Sequence, residues 1–190
     1  MSFIKFAILA TLGEVIGLRI KTGNYVQKGF GILPRAVVWG VLGITIKIAF
    51  DIFASGTPVF LENIGMANAS TILSDELSAR KVLVTFSIST ALNIFYAPVL
   101  MTAHKITDIH IVNTGGSLKR FFGPLKVASI LKQIDWDMHW NFILKRTIPF
   151  FWIPAHTITF LLPAEFRVLV AAVLGIALGV ILALASIKKN

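Results

Sequence analysis

Hydrophobic residues in this chain are bunched into long uninterrupted runs, each near the length of a bilayer crossing, and polar residues fill the gaps. A helix of roughly 20 apolar residues traverses a hydrocarbon core, so the pattern predicts membrane-spanning helices rather than amphipathic elements around a soluble core. Five segments follow, at about 2–18, 35–55, 82–103, 147–164 and 168–187, with a polar and interfacial stretch at 104–146. Together they describe one transmembrane helical domain over 1–190, an all-α integral membrane protein of four to five crossings. The first run follows Lys5 and has the look of a signal-peptide core. Glu14 and Arg19 stand where a small-residue cleavage site is needed, so it reads as a retained helix.

Local signals refine the boundaries. Pro34 suits the first turn of the second segment, which the pattern ends at Gly56-Thr57-Pro58. Ser74-Asp75-Glu76-Leu77 reads as the cap leading into the third segment, which carries no charge in 22 positions. Within the polar stretch, Val127, Ile130, Leu131 and Ile134 recur at helical spacing opposite Lys126, Lys132 and Gln133, and Trp136 and Trp140 follow. This is the pattern of a basic amphipathic helix lying at the headgroups, or of a loop helix packed on the protein itself. Segment four holds Pro149, Pro154 and Pro163, which predict a kinked or re-entrant path. Arg167 and Lys188-Lys189 bracket segment five.

Composition agrees with the pattern: 56% of residues are hydrophobic and 14% charged, against about a quarter charged in soluble domains. The net charge of +9 would suggest nucleic acid in a soluble protein. Here Lys and Arg lie almost wholly between the apolar runs, so they report topology, and no nucleic-acid partner is expected. The basic loops each follow an odd-numbered crossing, which sets the amino terminus outside and, with five crossings, the carboxyl terminus inside. Cysteine is absent, which excludes disulfides, thiolate nucleophiles and Cys-based metal sites.

Three ionisable residues fall within the predicted spans: Glu14, Lys47 and Asp51. A charge at mid-bilayer costs about 2.5–3.5 kcal/mol on insertion scales, so such groups face a bundle interior or a watery path. Lys47 and Asp51 are four apart, and Gly40 and Gly43 lie on roughly the same side, where a second backbone can approach. The plainer reading is a neutralising lock between helices; the functional one is the lining of a polar pathway. Glu14 sits between Gly13 and Gly17, a second contact ridge, and Ala171, Gly175, Gly179 and Ala183 make a third. The partner of that third seam is either another helix of this chain or a second copy. His104, His110, His139 and His156 show no i, i+4 metal pair, and His156, deep in the Pro-rich segment, is the one of interest. Nucleotide and hydrolase motifs are missing, so the sequence argues for no enzyme, no cofactor and no metal.

Several local patterns, taken in order, resemble the Mpv-seventeen family of small integral proteins of the mitochondrial inner membrane and the peroxisome. Leu12-Gly13-Glu14-Val15-Ile16 is similar to the family's Leu-Gly-Asp-Ile-Ile, and Arg35 before Gly40 and Gly43 resembles the Arg preceding its Gly-rich second helix. Tyr96-Ala97-Pro98 is similar to its Phe-Ala-Pro. Phe150 to Ala155, then Phe160, Leu162-Pro163 and Arg167, resemble its aromatic-rich carboxyl signature. The resemblance implies a compact helical membrane protein with a pore or solute-conducting role, and points to Glu14, Arg35, Pro98, Pro154, Pro163 and Arg167.

The expectation is therefore a polytopic membrane protein that conducts small solutes or ions, with Glu14, Lys47, Asp51 and His156 along a polar interior. The alternative is a non-conducting structural or assembly subunit. Its partners would be the lipid bilayer and either further copies of itself or a membrane complex. A bacterial cytoplasmic membrane is favoured over the mitochondrial inner membrane, on the missing presequence and the Lys-ended tail.

Overall fold

The computed structural model describes residues 1–187, and every regular element among them is helical. Lys188 and Lys189 of the basic tail lie outside the described residues. Where the sequence reading has one domain, contacts gather into two compact units. The first comprises Met1–Ile44, Thr102–Ile134 and the chain from Leu169; the second comprises Thr45–Met101 and Asp135–Val168.

In the first unit, α1 (Ser2–Thr22) ends at Gly23, whose left-handed φ of 80° lets its N–H reach back to the Arg19 carbonyl at 2.9 Å. Helix α2 (Ile32–Asn63) starts with Pro34 in its first turn, where the missing N–H is no loss. Its Gly40 and Gly43 pack on α1: a Cβ on Gly43 would come 2.5 Å from the Phe6 Cβ, and one on Gly40 would strike the Phe3 ring. Helix α8 (Ala164–Ile187) closes on α1 from elsewhere, for a Cβ on Gly13 would lie 2.9 Å from the Ile176 Cα. Gly17 faces Gly179 and Ala183 in the same seam. The partner of the α8 small-residue stripe is thus α1 of the same chain. Gly175, expected in that seam, has nothing within 4 Å of where a Cβ would stand, whereas Gly179 lies against the Gly13 backbone and Ala183 against Gly17.

The second unit centres on α3 (Ala79–Phe95), which packs along α7 (Ile153–Leu161) and the π-helix preceding it, Met138–Trp152. The cap of α3 is Ser78, whose hydroxyl accepts the Lys81 N–H at 3.2 Å. Ser74, read from sequence as the cap, instead donates to the Thr71 carbonyl at 2.6 Å within a 3₁₀ turn, Ile72–Ser74.

Three other boundaries move. Helix α2 does not stop at Gly56-Thr57-Pro58 but continues to Asn63 with Pro58 inside it. One ladder bond is lost there, a defect that helices in apolar surroundings accommodate. The third segment is not a single span: α3 breaks at Tyr96, and α4 (Ala97–Asn113) departs at 43°. Pro98 offers no N–H to the Ile94 carbonyl and its ring crowds that carbonyl, so the break falls just before it. Helix α4 then runs ten residues past the expected end at Ala103, and stops where Gly115 and Gly116 adopt φ of 64° and 70°. The 104–146 stretch is therefore partly helix.

The amphipathic helix expected here is shorter than its pattern suggests. The set beginning at Val127 forms only α6 (Val127–Leu131), five residues, with Ile130 and Ile134 buried in the first unit. Val127 stays exposed, so the protein covers only the Ile130 side of this turn and a half. A second short helix, α5 (Leu118–Phe121), precedes it. Segment four starts earlier than expected. Its π-helix closes with the Ile153 N–H on the Ile148 carbonyl, five residues back, and turns into α7 at Pro154. The prolines expected to bend this segment lie where the ladder widens, and Pro163 separates α7 from α8.

By length and composition α2 and the Ala164–Ile181 part of α8 can each cross a membrane, and the bent α3–α4 pair is a third if it counts as one span.

Candidate functional site

The first unit brings together four ionisable side chains from three helices. Arg35, 8% exposed, pairs with Glu14 of α1 and, at 2.5 Å, with Asp108 of α4. The Asp108 contact is one of charge, since Asp108 Oδ1 lacks hydrogen-bond alignment. Arg35 Nε donates to the Phe30 carbonyl at 2.8 Å, and the guanidinium lies over the Phe30 ring. Glu14 Oε1 accepts from Trp39 Nε1 at 2.7 Å and from His104 Nε2 at 3.1 Å, while the Trp39 and His104 rings meet at 4.4 Å. One cation thus neutralises two carboxylates in a mostly apolar bundle, and each partner locks its neighbour's rotamer. The approach of α2 to α4 that this needs is permitted by glycine, for a Cβ on Gly116 would stand 2.7 Å from the Gly31 nitrogen.

In the second unit, α3 carries a polar stripe of Thr85, Ser89 and Asn93, spaced by four and wholly buried. It faces α7. Ser89 Oγ donates to the Ile153 carbonyl at 2.7 Å, a carbonyl also held by the Thr157 hydroxyl. Asn93 Nδ2 donates to the Ser89 carbonyl at 2.8 Å and to His156 Nδ1 at 3.0 Å. Because Nδ1 accepts, a neutral His156 carries its proton on Nε2. The ring stacks on Trp152 and meets the Phe50 ring edge-on at 5.3 Å. Asn93 Oδ1 and Trp152 Nε1 are buried without a hydrogen-bond partner among the described residues.

Lys47 and Asp51 do pair across one helical turn, yet their side chains are 48% and 64% exposed. They belong to the rim of a cleft of about 260 Å³ whose other charged members are Glu165 and Arg167 of α8. Phe50, Ala164 and Val168 complete the lining. Arg167 also ties down the end of α7, donating to the Leu162 carbonyl at 3.0 Å and the Phe160 carbonyl at 3.3 Å.

The four expected pathway residues thus fall into three places: Glu14 in the ionic cluster, His156 against α3, and Lys47 with Asp51 on the cleft. Of the motif residues, Arg35 is the centre of the cluster and Arg167 joins the cleft. Pro98 follows the α3–α4 break, Pro154 sits in the first turn of α7, and Pro163 stands between α7 and α8. Sequence reading missed Trp39, His104, Asp108, Asn93 and Glu165 as site members. Spacing held the signal for three of them, since Trp39 is four from Arg35, Asp108 four from His104, and Asn93 four from Ser89. No group of three or more His, Asp or Glu able to hold a metal occurs among the described residues.

Among known proteins, no family model, no curated sequence and no solved structure matches this chain.

Proposed function

We propose that the chain is a polytopic membrane protein that conducts small solutes or ions, with the cleft bearing Lys47, Asp51, Glu165 and Arg167 on the solute path. The observation that carries this reading is the placement of those charges. All four lie on α2 and α8, the helices long and apolar enough to cross a membrane, yet they open onto a cleft rather than into a packed core. Charges kept exposed on a membrane helix call for water or a polar ligand beside them. Helix α1 and the π-helix with α7 would complete a set of four to five crossings. The Mpv-seventeen-like motif order supports the same role, and a distant membership of that family is part of the proposal.

The second reading is a non-conducting assembly subunit. The open face around Gly175, a small residue with nothing near it, favours it. Against it stands the α1–α8 seam, whose glycines are already occupied within the chain.

Flux of small solutes and ions through liposomes holding purified protein decides between them, with Lys47→Leu, Asp51→Leu and the double change as variants. Flux in the wild type that each single change alters supports a path through the cleft. Absence of flux from folded protein overturns it and moves the assembly reading forward.

A further inference from the structure

The geometry points to a zwitterion as the ligand of the α2–α8 cleft: a small molecule carrying one cationic and one anionic group. This inference rests on the conducting role proposed for that cleft and names its substrate class.

The lining carries two cations, Lys47 and Arg167, and two anions, Asp51 and Glu165, so its formal charge is zero. A cleft selecting a simple anion or cation would carry an excess of the opposite sign. Here either kind of ion meets as much repulsion as attraction. Lys47 and Asp51 already satisfy each other, and the Asp51 and Glu165 carboxylates are close enough to the Arg167 guanidinium to act on it electrostatically. A ligand that enters and parts the Lys47–Asp51 pair has to replace both partners at once. A molecule presenting both signs does so and leaves neither head without a partner, whereas a single-charge ion pairs one head and releases the other.

The dimensions and floor agree. About 260 Å³ corresponds to some eight or nine waters at ~30 Å³ each, which suits a compact solute and falls below the usual range for larger ligands. Phe50 and Val168, 3% and 8% exposed, form an apolar floor under the charged rim. That leaves a place for the carbon atoms joining the two charged groups. The exposure of Lys47 and Asp51 leaves their heads free to exchange partners, while Arg167 is steadied by the Phe160 and Leu162 carbonyls at the end of α7.

The chemistry is shared by a free zwitterionic solute and by the phosphocholine headgroup of a lipid, and the test separates them. Full-length protein is placed in nanodiscs of phosphatidylglycerol and, separately, of phosphatidylcholine. Glycine betaine is the zwitterionic probe, choline and acetate are its single-charge halves, and glycerol is the neutral control. Binding is read by calorimetry, and flux in liposomes of the same lipids.

In phosphatidylglycerol, glycine betaine is expected to bind at least about tenfold more tightly than choline or acetate. Lys47→Gln and Asp51→Asn are each expected to remove about that tenfold, and the double change little more than either. Both residues are exposed, so the variants fold. Equal betaine binding in the two lipids assigns the site to free solutes; loss in phosphatidylcholine assigns it to the headgroup. Betaine binding without flux of any solute leaves the zwitterion site standing and removes the conducting role. Flux of glycerol without betaine binding or flux does the reverse and overturns the inference. Choline or acetate binding as tightly as betaine also overturns it, and neither binding nor flux removes both.

Discussion

Replacing Arg35 by Met removes the single cation between Glu14 and Asp108 and keeps much of the side-chain volume. Breaking a buried ion pair by deleting one partner costs about 3–5 kcal/mol, because the remaining charge stays desolvated. Glu14 and Asp108 are 19% and 26% exposed and so recover part of their hydration, which places the loss near the lower end, about 3 kcal/mol. That is roughly a hundredfold shift in the folded-to-unfolded ratio. Unfolding in detergent micelles reads it, and Trp39 is a local reporter because its indole N–H donates to Glu14. The triple change Glu14→Gln, Arg35→Met and Asp108→Asn is expected to regain most of the loss, since no charge is then left alone. A single-variant loss below about 1 kcal/mol, the level of exposed pairs, would refute the claim that the cluster is a desolvated unit.

Gly13→Val sets a Cβ 2.9 Å from the Ile176 backbone and is expected to destabilise by about 1–3 kcal/mol. Gly175→Ala meets nothing within 4 Å and should be neutral or gain up to about 1 kcal/mol from helix propensity; the same unfolding assay compares the two. Asn93→Leu removes the partner of His156 Nδ1 and the bond to the Ser89 carbonyl, for a loss of about 1–3 kcal/mol and a changed His156 ring signal by NMR. Lys47→Leu should lower stability by less than about 1 kcal/mol, as expected for an exposed i, i+4 pair. A larger loss would mean that the pair is a lock between helices.

The helical nature of the chain was legible because apolar runs of bilayer length admit few other structures. Boundaries were less so. Pro58 and Pro98 look alike in sequence, yet α2 runs through the first and α3 breaks before the second. A missing N–H and a ring clash are present in both, so the residue type alone does not tell the two apart. The Thr85, Ser89 and Asn93 stripe was overlooked because the segment carries no charge, although polar groups at every fourth residue are a face in themselves. Glu14 and Arg35 were each visible as unusual residues. Their pairing with each other and with Asp108 required bringing together helices separated by tens of residues, which no local spacing reports. For Lys47 and Asp51 the spacing gave the pair, while their exposure on a cleft edge came only from the fold.

The seam between Gly13, Gly17 and Ile176, Gly179 bears on how the chain is made. Its two halves are separated by about 160 residues, so α1 leaves the ribosome long before the helix that covers it. At roughly 5–20 residues per second, its glycine ridge waits on the order of ten to thirty seconds for α8. During that interval the glycine face of α1 stays bare. Helix α8 therefore completes the docking face of α1, and a nascent chain halted before α8 carries an open edge for insertion factors or proteases to find.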